Sequence, residues 1–336
     1  MSKSIKNISV IGDGGWGTTL AVHLAKKNYS LRLWGPFPAY VRRVGKSRYN
    51  TKFLPGIRLP QNITLTENLE EAIREADLIV FAIPSKYANA ILKKIKKTKA
   101  DLSCKILLSV TKGIDTEKLL RMSETLKNEL GNNVNIAVLS GPTIAMEVAK
   151  GIPSTAVVAA NNLKIAKHIQ AIFNSESFRV YTNTDVTGVE LGGSIKNIIA
   201  IACGVCDGLK FGSNTKAAIL TRGLAEMARL GAALGAKQKT FSGLTGLGDL
   251  VTTCVSPRSR NRSVGEQLGR GKSIATITSR MEMVAEGVET VKAVYRLSQK
   301  HNVSMPITKE VYNIIYRKKK PSQAVSDLMK RRMKSE

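Results

Sequence analysis

Cysteine and histidine are scarce in this 336-residue chain, four of the first and three of the second. Cys104, Cys203, Cys206 and Cys254 are too sparse for the disulfide framework of a small secreted domain. His23, His168 and His301 lie far apart, so spacing suggests neither a zinc set nor a Ser-His-Asp arrangement. Cys203 and Cys206 form a C-x-x-C, but within a helical run of Ile, Ala and Val and with no second ligand pair. They read as ordinary buried thiols, and no metal is expected. Aromatic residues are only 5% of the chain, and none interleave the lysine runs to stack bases. Zinc-finger, RRM and KH patterns are missing as well, so nucleic acid is not an expected partner. No apolar stretch reaches the ~18 residues of a membrane span. The opening "MSKSIKNISVIG" breaks its apolar run at Gly12 and Asp13, too soon for a signal peptide. A cytoplasmic protein without integral membrane association is the expectation.

Acidic residues are the other shortage: 25 against 52 basic ones, a formal charge of +27. A field of that sign draws anions, phosphorylated small molecules among them. Much of the excess lies in "LKKIKKTK" (92–99) and in the carboxyl-terminal "YRKKKPSQAVSDLMKRRMKSE". Both read as solvated helix faces and tail rather than as a polymer-binding surface.

What the chain does contain is a regular alternation. "NISVIG", "SLRLWG", "DLIVFAIP", "CKILLSVTKG", "VNIAVLSGP", "TAVVAA" and "FRVYTN" read as strands, several of them buried on both faces, with amphipathic helices separating most of them. That pattern predicts an α/β fold, a Rossmann-like and mostly parallel sheet over residues 1–183. After about Thr184 only helical periodicity remains, so residues 184–336 are expected to form an all-helical substrate and catalytic domain. A prior of ~150 residues per domain agrees with two.

The first strand runs into "VIGDGGWGTTLAVHLAKKN", with Gly12, Gly14 and Gly17 at G-x-G-x-x-G spacing. A strand before it, a helix after it and an α/β setting are the context a dinucleotide fingerprint needs. The first glycine makes the turn, the second admits the pyrophosphate, and the third packs helix on strand. The helix start offers free N–H groups to phosphate. The cofactor expected is NADP(H) or NAD(H). An NAD site usually ends its second strand in Asp or Glu, which "LRLWGPFPAYVRR" lacks. Arg42 and Arg43 follow soon after and are candidates to meet a 2′-phosphate, which favours NADP(H).

The ordered set "GDGGWGTTLA", "FLPGI", "TKGI", "LSGPTIAMEVAKGIPS", "GVELGGSIKNIIAIACGVCDGL", "GSNTKAAILTRGLAEMARLGAALGA", "GLTGLGDLVTTC", "SRNRSVGEQLGRG", "VAEGVET" and "MPIT" runs the length of the chain. It resembles the bacterial NAD(P)-dependent glycerol-3-phosphate dehydrogenase family. The resemblance implies reversible reduction of dihydroxyacetone phosphate to sn-glycerol 3-phosphate, supplying phospholipid synthesis. It implies that Lys196 is the catalytic lysine and also touches substrate, with Lys112, Gly141, Thr143, Asp249, Ser259, Arg260 and Asn261 as substrate contacts. Gly12, Gly14, Gly15, Trp16, Lys112, Ala145, Arg260, Val284 and Glu286 match cofactor contacts. Chemistry agrees, since a reduced ketone leaves an alkoxide that needs a positioned acid. Lys196 follows two glycines on an apolar helix, and Lys112 and Arg260 are expected as cationic neighbours lowering its pKa. Asn197 is a candidate to orient substrate beside it. Asp249 is a candidate partner of Lys196, or an N-cap of its own helix.

Two departures from the family pattern stand out. Asp13 occupies a fingerprint position that is often small and neutral, and Pro36 stands where related enzymes often carry His or Arg toward a 2′-phosphate. A hydroxy-acid dehydrogenase of the same architecture is the alternative reading, and a basic binding module a third. A homodimer is left open.

Overall fold

The computed structural model describes residues 5–103, 105–333 and 335. Cys104 and the first four residues, on which part of the thiol and leader readings rests, lie outside them. The chain divides into two compact units, one of residues 1–112 and 120–186, the other of residues 113–119 and 187–336.

The first unit is built on eight strands: β1 (Asn7–Ile11), β2 (Ser30–Trp34), β3 (Ile63–Thr66), β4 (Leu78–Phe81), β5 (Ile106–Ser109), β6 (Asn135–Ser140), β7 (Ser154–Ala160) and β8 (Phe178–Asn183). They form one sheet in the order β3-β2-β1-β4-β5-β6-β7-β8. Every pairing is parallel except β6 with β7, where Val138 faces Ala159 in antiparallel register. Side chains alternate between two apolar clusters: Leu78 and Val80 enter one, Ile79 and Phe81 the other. A strand covered on both faces needs such a continuous apolar run, which is why β4 reads LIVF with all four residues buried. The sequence reading missed β3. It is a four-residue edge strand with only Ile63 and Thr66 buried, too short and too polar to show a period.

The strand order reverses about β1, which has β2 on one side and β4 on the other. Ligands of open α/β sheets collect beyond the carboxyl ends of strands at such a switch point. The glycine loop follows β1 there.

The second unit is helical and centred on the helix Val186–Gly208, buried continuously from Gly188 to Cys206. This helix corrects one sequence expectation. An 18-residue window in it has a mean hydropathy of 1.4, enough by length and composition to cross a membrane, yet that window is wholly buried inside the protein. Glu190, Lys196 and Asn197 interrupt its apolar run in the sequence. Folded, these polar groups are buried as well and the helix is the core of its unit. Backbones approach it closely. A Cβ on Gly204 would stand 2.0 Å from the carbonyl of Arg262, and one on Gly192 would stand 2.5 Å from that of Thr245. Elsewhere in the unit the buried carboxylate of Glu226 accepts hydrogen bonds from the N–H groups of Ile307 (2.6 Å) and Thr308 (3.1 Å) and from the Thr308 hydroxyl (3.0 Å). It thereby caps the helix Pro306–Tyr316, whose first residue lacks an N–H.

The C-x-x-C lies inside Val186–Gly208, and its two thiols are free and buried, as is Cys254. The adjacent Cys254 thiol and burial push Cys203 up, and burial pushes Cys206 up to about 12. Thiols this reluctant to ionise are poor nucleophiles and poor metal ligands.

Candidate active site

In the first unit the glycine loop is shaped by three different constraints. Gly12 has φ +120°, and a Cβ there would meet the carbonyl oxygen of Ala82 at 2.8 Å. At Gly17 a Cβ would stand 1.9 Å from the oxygen of Gly12, so only glycine lets the helix pack this tightly on the strand. Gly14 differs. It precedes the helix Gly15–Ala25, no side chain caps that helix, and a Cβ on Gly14 would meet nothing within 4 Å. Open space beside an uncapped helix start is what a pyrophosphate requires. The loop therefore fits a dinucleotide.

Asn50, unremarked in the sequence, holds the loop from behind. Fully buried, it donates to the carbonyl of Asp13 (2.7 Å) and to the Thr18 hydroxyl (2.8 Å) and accepts from the Tyr40 hydroxyl (2.7 Å). Gly15 packs on the carbonyl of Phe53. The half-buried Trp16 sets its ring edge-on to Phe178, 6.5 Å between centroids, with its backbone N–H in the first helical turn. Ala145 is joined to the same helix, since its carbonyl accepts from the Thr19 hydroxyl (3.1 Å).

Lys112, Gly141 and Thr143 form a second group at the strand ends of this unit. The Lys112 ammonium donates to the Gly141 carbonyl (2.7 Å) and reaches Thr143 Oγ1 at 3.3 Å. Gly141 has φ +138° and packs on the backbone of Ala156. Sequence reasoning named all three separately, and the fold assembles them.

The second unit carries the other set. Lys196 projects from the core helix and its ammonium donates to Asp249 Oδ1 (2.8 Å) and Thr253 Oγ1 (2.5 Å). The lysine side chain is 7% exposed and the aspartate 2%. An anion, the candidate partner named from the sequence, and a hydroxyl hold this buried ammonium in place. Asp249 does not act as an N-cap. It begins the helix Asp249–Val255 after a π-helical turn, Leu244–Gly248, and the cap position, Gly248, has no side chain. Single π turns re-aim a side chain out of helical register. Thr253 escaped the sequence reading, although its place four residues after Asp249 puts both on one helix face.

Asn197 was expected to orient substrate, but its Oδ1 accepts from Asn261 Nδ2 (2.9 Å), and Asn261 Oδ1 accepts from the Gly287 N–H (2.9 Å). This buried amide chain ties three helices together. Ser259 caps the helix Arg260–Gly269 by accepting from the Arg262 N–H (3.2 Å). Exposed Arg260 donates to the carbonyl of Val284 (2.7 Å). That bond brings Arg260 to the segment leading into the helix Glu286–Lys300, of which Glu286 is the first residue. A guanidinium carries five donors, so most remain for an anion.

A Rossmann-like sheet with a dinucleotide loop, joined in one chain to a helical unit with a buried ammonium–carboxylate pair, defines a nicotinamide-dependent oxidoreductase. Comparison with known proteins carries this further. Residues 7–166 match the N-terminal part, and residues 185–326 the C-terminal part, of NAD-dependent glycerol-3-phosphate dehydrogenase. A glycerol-3-phosphate dehydrogenase [NAD(P)+] of Thermoanaerobacter sp. (strain X514) is 47% identical over 98% of each chain. Its counterpart in Pelodictyon phaeoclathratiforme is 46% identical over 98% of this chain and 99% of that one. The crystal structure of glycerol-3-phosphate dehydrogenase from Coxiella burnetii superposes with a TM-score of 0.93 at 38% identity, covering 97% of this chain and 99% of that one. The chain belongs to the NAD-dependent glycerol-3-phosphate dehydrogenase family, with NAD or NADP as its cofactor.

Proposed function

We propose that this protein reversibly reduces dihydroxyacetone phosphate to sn-glycerol 3-phosphate in the cytoplasm, feeding phospholipid synthesis, with Lys196 as the proton donor. The observation that carries the reading is the ammonium of Lys196, buried and bonded to Asp249 Oδ1 and Thr253 Oγ1. A reduced nicotinamide, when bound, supplies a hydride to the carbonyl carbon. What falls to the chain is the proton. The C=O π bond breaks as the carbon–hydrogen bond forms, and the resulting alkoxide takes a proton from Nζ of Lys196, leaving a neutral amine. Asp249 and Thr253 hold that nitrogen in one place through the transfer, and in the reverse direction the amine accepts the proton. General acid catalysis of this kind contributes typically ~10²–10⁴-fold.

The remaining residues bind. Gly12, Gly14, Gly15 and Trp16 would hold the pyrophosphate on the helix start, with Ala145 beside them. Lys112, Gly141 and Thr143 are assigned to substrate, Lys112 also to cofactor. Arg260 with Ser259 would take the phosphate, a guanidinium fork suiting a dianion, and Asn261 positions the Arg260 helix. Val284 and Glu286 are assigned to the nicotinamide end. The free buried thiols suit a reducing compartment.

The test is a steady-state assay with purified protein, NADH and NADPH, and dihydroxyacetone phosphate beside several 2-keto acids. Oxidation of the cofactor with dihydroxyacetone phosphate, and little with the keto acids, is the expected result. Turnover of a keto acid in preference would replace this reading with a hydroxy-acid dehydrogenase.

A further inference from the structure

Asp13 stands second in the glycine fingerprint, where a charge beside pyrophosphate is unfavourable, so its retention calls for a physical reason. Its backbone is fixed, because the carbonyl accepts from Asn50 Nδ2 (2.7 Å) and Thr18 Oγ1 (3.0 Å). The residue is 6% exposed, and its Oδ2 is buried with no hydrogen-bond partner. That oxygen lies against Gly35, where a Cβ would sit 2.3 Å from Oδ2 and 2.5 Å from Cγ. Any other residue at position 35 would displace the carboxylate.

Gly35 directly follows Trp34, the last residue of β2. The end of the second strand is where a dinucleotide fold places the acid that holds the adenosine ribose, and there this chain has none. We infer that Asp13 supplies that acid from the glycine loop and makes the protein selective for NAD(H) over NADP(H). The inference rests on the cofactor reading above. Oδ2 is closed off against Gly35. A 2′-hydroxyl would donate to this unsatisfied carboxylate once that contact opens on binding, whereas a 2′-phosphate would face a like charge in a poorly hydrated place. Burial raises this carboxyl to about 6, against its own backbone N–H and the Lys52 charge, so it is largely ionised at neutral pH. The two arginines that favoured NADP(H) in the sequence are exposed and hold surface contacts. Arg42 makes both its contacts to the Glu67 carboxylate (2.7 and 3.0 Å), and the guanidinium of Arg43 lies 4.8 Å from the centre of the Tyr40 ring.

The experiment is equilibrium titration of the full-length protein with NAD+ and with NADP+, by calorimetry, for wild type and Asp13→Asn, with the fold of each checked by its thermal melt. Wild type is expected to bind NAD+ at least about tenfold more tightly than NADP+, a like-charge contact of this kind being worth a decade in Kd. Asp13→Asn should narrow that ratio severalfold, mainly by tightening NADP+. Wild type binding NADP+ as well as NAD+, or better, overturns the inference without any variant being needed. An unchanged ratio in a folded Asp13→Asn protein overturns it too. If both dinucleotides bind but neither reduced form supports reduction of dihydroxyacetone phosphate, the functional reading falls, while the Kd ratio still decides the role of Asp13.

Discussion

The ammonium of Lys196 lies 2.8 Å from Oδ1 of Asp249, and both groups are closed to solvent. An ion pair so placed is costly to break, because removing one partner strands the other charge in a poorly hydrated interior. Asp249→Ala should therefore destabilise the protein by about 3–5 kcal/mol. The apolar double variant Lys196→Met, Asp249→Leu should recover most of that loss. Urea unfolding of the three proteins checks this, and a double variant no more stable than Asp249→Ala would contradict it.

On the proposed mechanism the same lysine sets the rate. Lys196→Ala should lower kcat by about 10²–10⁴-fold while the Kd for NADH changes little, as expected for loss of a general acid alone. Stopped-flow turnover together with cofactor titration separates the two quantities. Wild-type turnover in the variant would remove Lys196 from the mechanism.

Thr253 accepts from the same ammonium and donates to the Asp249 backbone carbonyl at 2.7 Å. Thr253→Val keeps the shape and removes the hydroxyl. Its expected effect on stability is a loss of about 1–2 kcal/mol, with a fall in kcat that Thr253→Ser restores. Measuring kcat and KM for both variants distinguishes orientation of the lysine from mere packing, since packing would not be rescued by serine.

Gly14 and Gly17 should respond in opposite ways to alanine. A Cβ at Gly17 would lie 1.9 Å from the Gly12 oxygen, so Gly17→Ala should cost at least about 1–3 kcal/mol of stability through overpacking. A Cβ at Gly14 meets no protein atom within 4 Å. Gly14→Ala should melt within a few degrees of wild type yet bind NADH at least about tenfold more weakly, because the methyl occupies the approach of the pyrophosphate. Thermal melts and cofactor titrations of the pair give both readings.

Asp13 carries a pH signature. Its carboxyl sits at about 6 in the folded protein against an ordinary 3.8, so the folded state binds the proton more tightly than the unfolded one. Stability from this group is therefore greatest below pH ~4 and declines as the pH rises through ~6, by at most about 3 kcal/mol. The difference in unfolding free energy between wild type and Asp13→Asn, followed from pH 4 to 7.5, should move in favour of the variant with rising pH. A flat difference would show that the carboxylate is solvated.

Much of this site is legible in one dimension because its backbone parts are local. Gly12, Gly14 and Gly17 advertise the loop, and Lys196, Asp249 and Arg260 stand in stretches distinctive enough to mark the family. Other parts were not legible. Asn50 lies far along the chain from the loop it supports, and the strand β3 is too short to show a period. The amide chain from Asn197 through Asn261 to Gly287 joins residues too distant in sequence to be paired by spacing.

The order of residues by itself determined the alternation of strands and helices, the glycine turn and the change to an all-helical second half. Each of these depends on neighbours within a few positions, through periodicity, propensity and φ. Only the folded chain decided that the ammonium of Lys196 pairs with Asp249 and that the carboxylate of Asp13 rests on Gly35. Those pairings join residues 53 and 22 positions apart. Burial gives them their energetic weight, and burial is a property of the packed interior, which no short stretch of sequence contains.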